Sequence, residues 1–194
     1  MFYVFVFIDK DHSGFMNKKS SYKLIYLENI ENIIRIDFPN GYFLESKFKS
    51  ARIEYFEYFT LPNEENVELK KYKEKYIDFG YFYETMIEYI DDVTFQETDN
   101  FNQFLGQDRS VQSNVIYDFA INILQIKTIE EYKSKKIEIE KISKDYRILL
   151  QLDCNDINSD LHRFGGNSVI YFGIKQKDLK KKNTENVIMA FQGT

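Results

Sequence analysis

An α+β fold with a largely antiparallel sheet follows from three features of the chain. Short apolar runs rich in β-branched and aromatic residues lie near both ends and read as strands. The middle, residues 64–92 and 128–143, carries the apolar spacing of helices. No regular strand–helix–strand spacing links these regions, which argues against a doubly wound parallel sheet.

Taken in order, Phe2 to Ile8 is a continuous apolar strand, and Asp9-Lys10-Asp11-His12-Ser13-Gly14 supplies turn chemistry. Tyr22 to Leu27 is a second strand. Ile33 to Asp37 and Tyr42 to Glu45 flank Pro39-Asn40-Gly41 as short strands about a turn. Arg52 to Phe59 alternates as a strand would, with Ile53, Tyr55, Glu57 and Phe59 on one face. From Glu64 to Asp78 a charge-rich helix keeps Leu69, Tyr72 and Tyr76 on one stripe. Phe79, Phe82, Tyr83, Met86, Tyr89 and Ile90 form the apolar stripe of a second helix. Val115 to Ile126 satisfies both periods and is left open between helix and strand. Thr128-Ile129-Glu130-Glu131 is a capping box, so a helix runs from there to about Ser143. Tyr146 to Leu152, Val169 to Ile174 and Asn186 to Phe191 are strands, with a short basic helix or turn at Lys177 to Lys181. Residues 2–27 and 169–191 both read strand, polar excursion, strand, a weak internal repeat within a single domain over residues 1–194.

Composition narrows the function classes. The 18 Phe and 15 Tyr side chains offer ample surface to bury, so the chain is globular. Net charge is −5, the wrong sign for general phosphate-backbone binding and the right one for a basic protein partner. The single cysteine, Cys154, has no internal disulfide partner, which fits a reducing cytoplasm. The apolar start ends at Asp9, too early for a signal peptide, and no run has the length of a membrane span.

Three motifs in chain order carry a resemblance. Phe2-Tyr3-Val4-Phe5-Val6-Phe7-Ile8-Asp9 precedes Tyr22-Lys23-Leu24-Ile25-Tyr26-Leu27-Glu28-Asn29-Ile30. In the middle stands Leu105-Gly106-Gln107-Asp108-Arg109-Ser110-Val111-Gln112. Near the end, Leu149-Leu150-Gln151-Leu152-Asp153-Cys154-Asn155-Asp156 is followed by Phe164-Gly165-Gly166 and Tyr171-Phe172-Gly173-Ile174. This series resembles the YwqG-like bacterial family, whose function is unknown, and implies its α+β fold without implying a chemistry. Gln107-Asp108 replaces the family's Tyr-Pro, and Phe164-Gly165-Gly166 replaces its Trp-Gly-Asp. Against the family pattern the chain reads as a member shortened at the N-terminus. That leaves residues 2–8 as an apolar sheet edge expected to be covered by this chain, by a second copy or by a target.

No sequence motif for catalysis converges. There is no phosphate-cradling glycine loop, no nucleophile elbow and no zinc spacing. Asp9, Asp11, Ser13 and Gly14 open like an EF-hand loop, but Ser20 stands where its glutamate belongs and a strand precedes it. Cys154 and His162 are eight residues apart, yet relatives carry Ser at the Cys154 position, against a required thiol. The basic cluster around Lys180 reads as a solvated face. Neither cofactor nor metal is expected.

Three functional expectations follow. In the first, the chain is a non-enzymatic acidic inhibitor or immunity-type protein. It would neutralise a basic bacterial effector, a toxin or an RNA-guided nuclease, without touching nucleic acid itself. Asp91, Asp92, Glu97 and Asp99 are the candidate contacts, with Tyr81 and Tyr83 as aromatic anchors. In the second, a small ligand or substrate occupies a pocket near Asp153, Asp156, Gly165 and Gly166. A structural subunit that self-associates is the third class.

Overall fold

In a computed structural model of the protein, residues 2–6, 21–31, 33–34, 53, 55–62, 66–95, 102–156 and 159–193 are described. Six strands and six α-helices are seen among them. The strands are β1 (Phe2–Val6), β2 (Tyr22–Tyr26), β3 (Gln103–Phe104), β4 (Tyr146–Asp153), β5 (Ser168–Lys175) and β6 (Ile188–Gly193). The helices are α1 (Val67–Lys75), α2 (Phe79–Phe95), α3 (Val115–Leu124), α4 (Ile129–Ser134), α5 (Lys136–Ser143) and α6 (Gln176–Lys180). A 3-10 turn spans Asp160–Phe164. All strand pairs are antiparallel: β1 with β2 in one sheet, and β3-β4-β5-β6 in order in the other. The α+β antiparallel class expected from the pattern is the fold observed.

The second sheet is buried on both faces, which explains why β5 is an unbroken apolar run. Successive β5 side chains point to opposite faces. Ile170, Phe172 and Ile174 join Leu149 and Met189 in a core against which the β1–β2 hairpin lays Val4, Val6 and Tyr22. Val169 and Tyr171 face the other way, with Tyr146, Ile148 and Ala190, onto Val115 and Phe119 of α3. Phe119 lies so close over Gly173 that a Cβ there would come within 3.0 Å of its ring, so the helix seats on a glycine. A bulge in β4 between Ile148 and Leu150 resets the alternation. Leu149 and Leu150 both turn toward the hairpin core, and Gln151 is brought to the α3 face opposite Tyr171.

Several expectations are corrected. Ile53 and residues 55–59 form no strand. Tyr55 and Phe59 are 80% and 87% exposed, so their alternation reflects no sheet face. Residues 129–143, expected as one helix, are broken between α4 and α5, whereas the two helices expected in the middle of the chain are seen as α1 and α2. Val115–Leu124 is a helix: Asn114 caps it by accepting from Ile116 N at 3.0 Å, and Val115 and Phe119 share its buried face. Thr128 and Glu131 make the reciprocal capping box that the sequence predicts. The Pro39-Asn40-Gly41 turn and the Asp9 to Ser20 loop lie outside the described residues. Among the described residues β1 pairs with β2 alone, and no helix is long and apolar enough to cross a membrane.

Candidate functional site

Helix α2 separates two kinds of aromatic residue. Phe79, Tyr83, Met86, Ile87 and Ile90 recur at three- and four-residue steps and turn inward. Tyr83 is 4% exposed, stacks on Phe79 with centroids 5.4 Å apart and donates its hydroxyl to Pro62 O at 2.6 Å. Burial, and then the charge of Asp108, push this phenol up to about 12. Tyr83 is therefore an internal strut rather than a surface anchor. Tyr81 faces solvent at 79%, with Phe82 at 65% and Tyr89 at 69%. Glu84, Glu88 and Asp92 are exposed among them. Helical geometry brings Tyr81, Glu88, Tyr89 and Asp92 onto one broad face. The helix holds two Glu and two Asp with no Lys or Arg, so the face is anionic as well as aromatic. Asp91 lies in α2, with only its backbone described; Glu97 and Asp99 lie outside the described residues.

The acidic loop after β4 has a different character. Asp153 is 1% exposed; its Oδ1 accepts from Asn155 N at 2.8 Å. Asn102 ties the turn from below, accepting from Asp153 N at 2.9 Å and donating to Asp156 Oδ2 at 3.0 Å. Asn155 Oδ1 accepts from Asn167 N at 2.8 Å, which joins this turn to the glycine loop. Gly165 has φ of +112°, a conformation that favours glycine, and is exposed like Gly166. Asp153 and Asp156 thus brace two adjoining loops. Cys154 is wholly buried, with its thiol pushed up by burial, while His162 is exposed. Among the described residues no three His, Cys, Asp or Glu side chains converge as a metal site would need.

The middle motif occupies the most constrained polar ground. Leu105 and Gly106 both have positive φ, +62° and +88°. Gln103 Nε2 donates to Leu105 O at 2.5 Å and to Gln107 O at 2.7 Å. Gln151 Oε1 accepts from Arg109 N at 3.2 Å, and Tyr171 donates its hydroxyl to Arg109 O at 2.8 Å. Gln192 Oε1 accepts from Val111 N at 3.0 Å. Three buried glutamines from β3, β4 and β6 therefore replace the ladder partners that this loop lacks. They hold Asp108 inside, at 3% exposure, where Ser110 donates to its Oδ2 at 2.6 Å. Burial raises the Asp108 pKa, and the Ser110 bond only partly offsets it.

Beside Asp108 lies a cavity of about 80 Å³. The 106–108 turn, the start of α3 and the α5–β4 corner form its walls, and Lys144 and Arg147 are among the residues that line it. Sequence reasoning located the pocket at the other end of β4 and missed Gln103, Gln151, Gln192, Lys144 and Arg147. The available signal was a lone glutamine in each of two apolar strands, Gln151 and Gln192.

A family model described as a domain of unknown function (DUF1963) matches residues 1–192. No curated protein and no solved structure matches the chain.

Proposed function

The chain belongs to the DUF1963 family, and on that footing we propose that it is a non-catalytic protein-binding module whose α2 face engages a basic protein surface, as an inhibitor or immunity-type protein neutralising a bacterial effector. The observation that carries this reading is the exposure of Tyr81, Phe82 and Tyr89 beside Glu84, Glu88 and Asp92. Large exposed aromatic side chains mark interaction surfaces, and Tyr adds contact area at low entropic cost. The unbroken negative sign of the helix selects a cationic partner and speeds its approach. A toxin or an RNA-guided nuclease, whose nucleic-acid groove is basic, is such a partner. The reading takes the protein as YwqG-like, which the three motifs in chain order support, and as cytoplasmic, which the lone buried Cys154 supports.

The test compares tagged wild-type protein with two folded variants, Tyr81→Ala/Tyr89→Ala and Glu84→Lys/Glu88→Lys, as baits in native host lysate. The reading expects a basic effector on the wild type at moderate salt and its loss from both variants. Equal recovery of every partner by all three baits, or none on the wild type, overturns it.

A further inference from the structure

The cavity beside Asp108 carries chemistry that the α2 face does not use. Its volume of about 80 Å³ compares with roughly 10–15 Å³ for one water-sized group by the same measure. There is room for a ligand of several heavy atoms. The walls are polar but mostly committed. Asn114 Oδ1 accepts from Ile116 N at 3.0 Å, and Ser143 donates to Ile139 O at 2.8 Å. The charged groups are less so. Asp108 accepts from Ser110 and from its own backbone N–H and retains acceptor capacity beyond them. Arg147 donates through Nη1 to Lys144 O at 3.1 Å and Tyr146 O at 2.7 Å, which fixes the guanidinium at the α5–β4 corner. Among the described residues Arg147 and Lys144 form no ion pair. A carboxyl and two cations thus line one small cavity without pairing across it.

We infer that this cavity binds a small zwitterion with a primary ammonium and a carboxylate, the size and charge pattern of a simple amino acid. Asp108 receives the ammonium, and Arg147 with Lys144 receives the carboxylate. A buried carboxyl gains most from a cation that remakes the hydrogen bonds lost on leaving water. A planar guanidinium already fixed by two carbonyls loses little entropy on taking a carboxylate. The backbone supports the same placement. The Gln103 and Gln151 bonds hold the turn that carries Asp108, and a side chain at Gly106 would meet Gln103 Nε2 and Thr60 Oγ1 at 2.7 Å.

Calorimetric titration and amide NMR with glycine, alanine, acetate and methylammonium test this. Titration runs up to about 10 mM, a ceiling suited to ligands with so few heavy atoms. The expected result is saturable binding of glycine or alanine to the wild type, with shifts centred on the Asn114 and Asp108 amides. Acetate and methylammonium alone bind at least about tenfold more weakly, each having lost one charge-assisted contact. Asp108→Asn and Arg147→Gln each lose about tenfold or more. Should Asp108→Asn fail to fold, Lys144→Gln, at an exposed position, decides together with Arg147→Gln. No saturable binding to the folded wild type overturns the inference. So does acetate or methylammonium binding as well as the amino acids, which marks a simple anion or cation site. Affinity unchanged in every folded variant overturns it as well.

Discussion

Gln192 donates from Nε2 to Asp118 Oδ2 at 2.6 Å, joining the last strand to α3 across 74 residues of sequence. The same amide donates to Ser113 O at 2.7 Å and accepts from Val111 N, so one side chain ties strand, helix and the middle loop together. Gln192 is 1% exposed, and solvent cannot replace these bonds without opening the fold. Gln192→Leu is expected to cost about 2–4 kcal/mol, because the Val111 amide and the Asp118 carboxyl lose buried partners. Urea unfolding checks it: the midpoint should fall with the slope unchanged. Gln192→Glu should also destabilise, and more so as pH rises, by setting a second carboxylate against Asp118. A Leu variant as stable as the wild type would remove Gln192 from its central place.

Gly173 bears Phe119 directly on its Cα. Gly173→Ala should destabilise by about 1–3 kcal/mol through overpacking. Phe119→Leu made in the Ala background should recover part of that loss, whereas alone it lowers stability by leaving space. A double-mutant cycle by thermal unfolding measures the coupling. Additive effects would show that helix and strand do not meet at this point.

Asp108 and Asp118 both have carboxyl pKa values raised, in each case first by burial. The folded state therefore holds protons that the unfolded chain has released. Their contribution to stability is full below the unfolded carboxyl range and is lost as pH rises through the folded values. Asp108→Asn, which cannot ionise, should gain stability relative to the wild type as pH rises across that window. Denaturation of both proteins at stepped pH gives the difference curve. A difference that is flat, or that falls with pH, contradicts the buried placement of Asp108.

The apolar elements were legible because their causes are local. Residues 169–174 are buried on both faces and read as a continuous apolar run, and Thr128 with Glu131 announces α4 through a local capping exchange. Val115 to Ile126 was ambiguous because its apolar positions meet both periods; Asn114 as cap and the seat of Phe119 on Gly173 resolve it to helix, and the second is a tertiary contact. Tyr55 to Phe59 misled because alternation there is unaccompanied by burial. On α2 the inward stripe was read too wide, taking in Phe82 and Tyr89, while the candidate anchors included the inward Tyr83. The cavity was not legible because Asp108, Lys144 and Arg147 come from separated segments. The loop that carries Asp108 is held by three glutamines, whose hydrophilicity conceals their burial.

The central claim is that an anionic, aromatic α2 face captures a basic protein. The most direct measurement is the association rate of the captured effector with the wild type and with Glu84→Lys/Glu88→Lys, taken at low and at physiological ionic strength. Electrostatic steering predicts a wild-type rate that falls about tenfold or more as salt rises, and a slow, nearly salt-independent rate for the charge-reversed variant. Tyr81→Ala/Tyr89→Ala should leave the association rate nearly intact and speed dissociation, since packed anchors act mainly on the off-rate. Identical rates and salt dependence for all three proteins would place the binding surface elsewhere and contradict the account.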